Sequence, residues 1–253
     1  MASIKLLTLN TWLKEGPYEQ REQLIRSWIE RLEPDLIGFQ EILEEQAGEL
    51  LDELGYVYEW HFGMSIASRW KIENFQTADL PAVDDKQVAG PILGSHVDSP
   101  YGLIPFVNTT TFYYLPQDGW KRKRQMPVLN NFVRDIRIRG GFPVVLVGDF
   151  NTDSDTDEIR YLKGLHSIDD TSTYFSDAWE RAGDGGMGAT WARRNDYSKV
   201  FGLPDRRIDY IFVGAPAIQG PGRVQTCQVV CDEPVDGVWP SDHFGVFAEL
   251  SAE

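Results

Sequence analysis

Cysteine is nearly absent: Cys227 and Cys231 are the only two. On a single strand they would share a face but stand about 13 Å apart, at roughly 3.3 Å per residue. That is too far for a disulfide. A disulfide-stapled fold is excluded, and a reducing, cytoplasmic setting is expected, with secretion without disulfides as the alternative. No run of about 18 apolar residues occurs, so no membrane-spanning helix is expected. The N-terminal MASIKLLTLN has one Lys and a short apolar run closed by Asn10, which falls short of a signal peptide. Positive charge is also scarce. Against 39 Asp and Glu stand 24 Lys and Arg, a net charge of −15. Binding nucleic acid chiefly by neutralising its phosphates needs the opposite balance.

Repeats, low-complexity tracts and evident linkers are missing too, so residues 1–253 read as a single domain. What is present is a set of short buried strands and amphipathic helices. Ile4–Leu9, Leu36–Phe39, Tyr56–Phe62, Met64–Ser68, Ile92–Val97, Leu103–Asn108, Phe142–Val147, Arg207–Val213 and Phe244–Leu250 are strand-like. Glu19–Leu32 has Leu24, Ile25, Trp28, Ile29 and Leu32 at helical spacing, and Pro34 stops it. Glu44–Leu54, closed by Gly55, and Met126–Arg139 are helical as well. A further helix is expected near Glu158–Lys163. Helices alternate with strands early, with strand pairs between, so the class is α/β with mixed sheets.

Polar residues recur where the strands stop. They are Asn10, Glu41, Asp149 with Asn151, Asp209, and Asp242 with His243. A single Asp at a strand end is usually a turn former. Together, carboxylates, amides and an imidazole beyond strand ends suit a hard divalent cation and a phosphate ester.

Those residues sit in recognisable blocks: TLNTW (Thr8–Trp12), GFQEI (Gly38–Ile42), SIASRWKI (Ser65–Ile72), VGDFNTD (Val147–Asp153), RRIDYIFV (Arg206–Val213) and SDHFGVFAEL (Ser241–Leu250). In order and content they resemble the motifs of the endonuclease/exonuclease/phosphatase superfamily, the metal-dependent fold of DNase I-like nucleases, inositol phosphatases and neutral sphingomyelinases. The resemblance implies a four-layer α/β/β/α sandwich with two mixed β-sheets. It implies Mg²⁺ or Mn²⁺ at Glu41, with Asn10 beside it and Asp242 contributing to a second site. It gives Asp149 the attacking water, Asn151 and His243 the phosphate, and Asp209 the His243 ring.

One block departs from the family pattern. Where relatives carry Asn-Thr-His-Leu, this chain reads FVNTTTFYYLP (Phe106–Pro116), with Thr110 in place of the His. Either Thr110, or Tyr114 followed by Pro116, would then supply the missing phosphate donor. Trp191 and Asn195 resemble a pocket-lining segment, and His96 either leans into the site or, as is commoner for a strand histidine, is structural. Trp239 either walls the site or anchors its loop.

Lys121–Arg124, four basic residues near Tyr113, Tyr114 and Trp120, read either as a solvated helix start or as a phosphate and base contact. GMSIA (Gly63–Ala67) approaches a nucleophile elbow, but the sequence after Ser65 is strand-like rather than helical. DFNTDSDTDEIR (Asp149–Arg160) has Ser154 and Arg160 where a calcium loop needs Gly and Glu. The expected activity is hydrolysis of a small or headgroup-sized phosphodiester or phosphomonoester. A DNA or RNA nuclease is the alternative from the same superfamily, and a non-catalytic phosphate-binding relative is the alternative from another class.

Overall fold

A computed structural model of the chain describes residues 2–82, 90–113, 119–215 and 220–253. Tyr114 and Pro116 lie outside the described residues. Twelve described strands form two mixed six-stranded sheets. The first sheet runs in the order β11 (Val224–Val230), β12 (Gly245–Ser251), β1 (Ser3–Asn10), β2 (Leu36–Gln40), β4 (Met64–Ser68), β3 (Val57–His61). The second runs β5 (Lys71–Asp79), β6 (Pro91–Ser99), β7 (Gly102–Thr110), β8 (Val145–Asp149), β10 (Asp209–Gly214), β9 (Phe175–Asp177). The β1–β2 and β7–β8 pairs are parallel, and the other pairs are antiparallel.

Helices cover both outer faces. Helices α1 (Tyr18–Leu32) and α2 (Glu44–Leu51) pack Ile25, Ile29, Ala47 and Leu50 against Leu7, Leu9, Ile37 and Phe39 of the first sheet. Helices α3 (Gly119–Ile136) and α4 (Asp157–Leu162) pack Leu129, Val133 and Ile159 against Val107, Leu146 and Phe212 of the second. The result is the four-layer sandwich that the motifs implied.

The inner faces of the sheets carry a polarity gradient. Side chains alternate across a strand with period two, so every second residue faces the opposing sheet. Along β1 these are Ile4, Leu6, Thr8 and Asn10; along β7, Ile104, Phe106, Asn108 and Thr110; along β8, Val145, Val147 and Asp149. Strand β10 runs the other way and reads Asp209, Ile211, Val213. The seam between the sheets is therefore dry at one end and polar at the other. At the changeover a Cβ on Gly38 would stand 2.5 Å from Val147 Cγ2, so only glycine lets the sheets approach there. Beyond it Gln40 Nε2 donates to Asn108 Oδ1 at 2.6 Å, and Asn108 Nδ2 donates to the carbonyls of Phe39 and Ser65, each at 2.8 Å.

Several sequence expectations need correction. The second helix ends at Leu51, not Leu54, and Gly55 (φ +73°) closes the turn after it. Helix α3 starts at Gly119 and stops at Ile136, leaving Arg139 outside. Strands β5, β9 and β11 and the short helix α5 (Ala178–Ala182) were not expected. β5 is a largely exposed edge strand with a register shift, so it has no clean alternation to read. Only Cys227 is on a strand; Cys231 follows it at φ +55°, and both thiols are free and buried. No described helix is long and apolar enough to cross a membrane.

Candidate active site

Five strand ends and the loop before β12 bring the polar residues together. Gly148 sets the first element. A Cβ there would stand 1.9 Å from the Thr109 carbonyl, so only glycine allows the β7–β8 approach that pairs Thr110 with Asp149. Several residues beside the site hold the left-handed conformation that side chains disfavour: Trp12 (φ +57°), Leu13 (φ +44°), Glu41 (φ +49°) and Asn151 (φ +52°). Such backbone costs on the order of 1–3 kcal/mol per residue and persists only where neighbours hold it. Here Leu13 N–H and the Thr11 hydroxyl both donate to the Glu41 carbonyl, at 2.8 and 2.6 Å. The Asn151 N–H donates to Asp149 Oδ1 at 2.9 Å.

Two groupings result, joined at Asp149. In the first, Asn10 Nδ2 donates to Glu41 Oε1 at 3.1 Å and to Asp149 Oδ2 at 3.2 Å. Its Oδ1 accepts from the Trp12 N–H at 3.0 Å and keeps a second lone pair. Ser241 Oγ donates to the Asn10 carbonyl at 2.7 Å, which brings Asp242 to the same edge. In the second, His243 Nδ1 bonds Asp209 Oδ2 at 3.0 Å, while Nε2 lies 4.0 Å from Asp149 Oδ2. Thr190 Oγ1 accepts from the Ile208 and Asp209 N–H groups, both at 3.1 Å, and so fixes the start of β10.

The charges are crowded. Burial pushes Asp149 up to about 7, with the Asp209 charge adding to it and His243 opposing. Burial likewise raises Asp242 to about 6. Burial would lower His243, but Asp209, Asp149 and Asp242 outweigh it and hold the imidazole well above its usual value. A divalent cation would relieve this crowding. The donor set fits one: carboxylate and amide oxygens suit Mg²⁺ or Mn²⁺. Oxygens of Asp149 and Asp209 and a ring nitrogen of His243 also lie within 4.8 Å of one another, a second grouping compatible with a metal.

The remaining candidates divide. Thr110 is half-buried at the edge, and its hydroxyl makes no hydrogen bond among the described residues. Asn151 Nδ2 is engaged with the Thr111 carbonyl at 3.0 Å. Trp191 meets the His243 ring edge-on, with centroids 4.9 Å apart. Asn195 is fully buried and donates to the Ser241 carbonyl at 2.8 Å, so it shapes the loop rather than lining an opening. Trp239 packs on Phe244 and anchors that loop.

His96 stands apart from the site: its ring bonds the Ile136 carbonyl at the end of α3, at 2.7 Å, and Asn74. In the basic run, Arg122 turns inward onto Glu158 at 3.2 Å and Lys123 reaches Asp157 at 2.9 Å. Lys121 and Arg124 instead flank the exposed Trp120 ring. Ser65 is fully buried inside β4, which excludes a nucleophile elbow. Asp153 pairs with Arg206 at 2.9 Å and Asp157 stands in the first turn of α4, whose cap position is Thr156 rather than an acid, so part of the acidic run is paired or at a helix start.

Sequence reasoning missed Gln40, Asn108, Thr190 and Arg21. The first two had a readable signal: Asn108 lies two positions past the core residue Phe106, and Gln40 two positions past Gly38 on the face that Leu36 begins.

A family model described as "Endonuclease/Exonuclease/phosphatase family" matches residues 7–243. No functionally curated protein matches the chain by sequence. Among solved structures, the chain is similar to TDP2 of D. rerio complexed with a single-strand DNA product (TM-score 0.81, 17% identity, 99% of this chain and 100% of that one). It is similar to an endonuclease/exonuclease/phosphatase from Bacteroides vulgatus (TM-score 0.78, 19% identity, 100% of both chains). It is also similar to a mannosyl-6-phosphatase of Bacteroides thetaiotaomicron (TM-score 0.77, 19% identity, 98% of this chain and 99% of that one). At these identities the likeness establishes the fold.

Proposed function

The chain belongs to the endonuclease/exonuclease/phosphatase family, hydrolases of phosphoester bonds, and on that premise we propose that it cleaves a small or headgroup-sized phosphodiester or phosphomonoester with Mg²⁺ or Mn²⁺. The observation that carries this is the pair of groupings sharing Asp149. One offers oxygen donors short of positive charge, and the other offers a hydrogen-bonded Asp–His pair.

Glu41, Asn10 and Asp242 would hold the cation. When bound it supplies Lewis-acid polarisation of a phosphoryl oxygen. Asp149 Oδ2 orients the attacking water and accepts its proton. His243, kept protonated by Asp209, donates through Nε2 to the phosphoryl group. Positioned donors of this kind supply most of the effect in phosphoryl chemistry. Thr110, whose hydroxyl is unengaged among the described residues, donates to the phosphate in place of the family's His, and Asn151 closes the same edge. The −15 charge repels polyanions at long range and so favours a small substrate. Free, buried thiols fit a reducing, cytoplasmic setting. Residues 1–253 act as one domain in this reading.

A nuclease is the second reading. It is favoured by Trp120, half exposed and flanked by Lys121 and Arg124, a surface on which a base could stack.

A substrate screen tests both readings. Aryl phosphodiester and monoester, inositol phosphates, sugar phosphates, nucleotides, single-stranded DNA and RNA would each be assayed with Mg²⁺, Mn²⁺ or EDTA. Turnover of small esters that EDTA abolishes is expected. A rate higher on nucleic acid than on every small ester would favour the nuclease. No turnover on any substrate would leave a phosphate-binding relative.

A further inference from the structure

Arg21 is 1% exposed, and the partners its guanidinium touches among the described residues are backbone carbonyls, not carboxylates. Its guanidinium spends all five N–H donors on backbone carbonyls. Nε donates to Glu15 at 2.9 Å; Nη1 to Thr11 and Pro240, both at 2.9 Å; Nη2 to Trp12 at 3.2 Å and Leu13 at 2.7 Å. The planar group also lies 4.9 Å from the Trp12 ring centroid. Burying a cation is costly; here the five carbonyls, and the charge of Asp242 acting without direct contact, offset that cost.

The carbonyls it gathers identify its role. Thr11, Trp12 and Leu13 follow Asn10 directly, and Thr11 and Leu13 grip the Glu41 carbonyl. Trp12 and Leu13 are two of the strained residues. Pro240 precedes Ser241 and Asp242, and Ser241 bonds back to the Asn10 carbonyl. One side chain on α1 thus ties the turn after β1 to the loop before β12.

Resting on the metal-dependent reading above, we propose that Arg21 is a positioning residue that fixes Asn10, Glu41 and Asp242 as one rigid donor set and so governs divalent-cation affinity. A lysine would keep the charge but has three donors on a flexible stem, and cannot fork across five carbonyls. Residues that orient metal ligands typically alter affinity 10- to 100-fold when replaced.

The test is direct Mn²⁺ binding to the metal-free full chain without substrate, read from the loss of the free-ion paramagnetic signal. Arg21→Lys should weaken the dissociation constant by roughly 10- to 100-fold. Its kcat at saturating Mn²⁺ should stay near wild type. The control is Arg122→Lys, which disturbs an equally buried arginine paired with Glu158. It should lower the thermal midpoint and leave Mn²⁺ affinity unchanged. Equal Mn²⁺ affinity in Arg21→Lys and wild type overturns the proposal while leaving the metal-dependent reading intact. Absence of Mn²⁺ binding by the wild type overturns both. Should Arg21→Lys fail to fold, Arg21→Gln decides, because its amide keeps part of the hydrogen bonding to the same carbonyls without the five-donor fork. Weaker binding then supports the proposal and unchanged binding overturns it.

Discussion

The two ends of the inter-sheet seam use the same strands and the same alternation, but they do opposite work. At the dry end Ile4, Leu6, Phe106, Val145 and Val213 meet in a fully buried apolar layer. At the other end the continuation of those strands carries Asn10, Asn108, Asp149 and Asp209, also buried. The dry end stabilises the fold by removing apolar surface from water. The polar end buries carboxylates, and burial, with neighbouring acids adding to it, raises the proton affinity of Asp149 and Asp242, a cost that marks this end as the candidate site.

Breaking the polar end should remove activity without removing the fold. Asp149→Ala or His243→Ala should lower the hydrolysis rate by about 10²- to 10⁴-fold, the usual worth of a positioned acid or base. The thermal midpoint of the metal-free protein should not fall for Asp149→Ala. Initial rates and thermal denaturation check this pair of outcomes.

Breaking the dry end should do the reverse. Leu6→Ala should cost about 2–5 kcal/mol of stability, measured by urea unfolding, with the rate constant per folded molecule near wild type.

At the changeover an intermediate effect is expected. Gln40→Ala strands Asn108 Oδ1 without its donor, and should cost about 1–3 kcal/mol together with weaker metal binding at Glu41 next door, so that more Mn²⁺ is needed for activity. Unfolding curves alongside a Mn²⁺ activation curve would show whether the two losses occur together.

Acidity distinguishes the ends without mutation. Asp149 and Asp242 bind protons more tightly folded than unfolded, since both stand above the ordinary value of 3.8. Stability of the metal-free protein contributed by these two groups is therefore present at low pH. It is lost as pH rises from about 4 through about 6 and 7. His243 adds in the same direction: its raised pKa gives a contribution that is full below the unfolded value and fades as pH climbs through the folded one. Asp149→Asn should accordingly melt higher than wild type at pH 8 without metal. A lower melting point would show that the carboxylate is not under strain.

The smallest effect belongs to Thr110. Its hydroxyl makes no hydrogen bond among the described residues, so Thr110→Val should leave stability within about 0.5 kcal/mol and reduce kcat/KM by about tenfold, the worth of one hydrogen bond. An unchanged kcat/KM would move the missing donor's role to another residue.

The sequence marked the candidate site where unusual residues stand together in sequence order. Asp149 with Asn151, and Asp242 with His243, stand in short blocks whose polarity interrupts a buried strand. It showed the sandwich where alternation is clean, as in β1, β8 and β10. It hid β5, which is an exposed edge with a register shift, and β9, which is three residues long. It hid Arg21 because a basic residue on a helix reads as solvated. Yet Arg21, Ile25 and Ile29 are spaced i, i+4, i+8 on the buried face of α1, so an arginine in register with an apolar stripe was the available sign. His96 behaves as a strand histidine usually does: it is structural, and it holds the end of α3.

The account turns on whether the polar end is a cation-dependent phosphoesterase centred on Asp149. The direct measurement is the initial rate of aryl phosphodiester hydrolysis against Mn²⁺ concentration, with wild type and Asp149→Asn side by side and EDTA added at the end. The account predicts a saturable Mn²⁺-dependent rate in the wild type, its collapse in Asp149→Asn, and its abolition by EDTA. A rate that survives EDTA, or one that Asp149→Asn keeps, would contradict it.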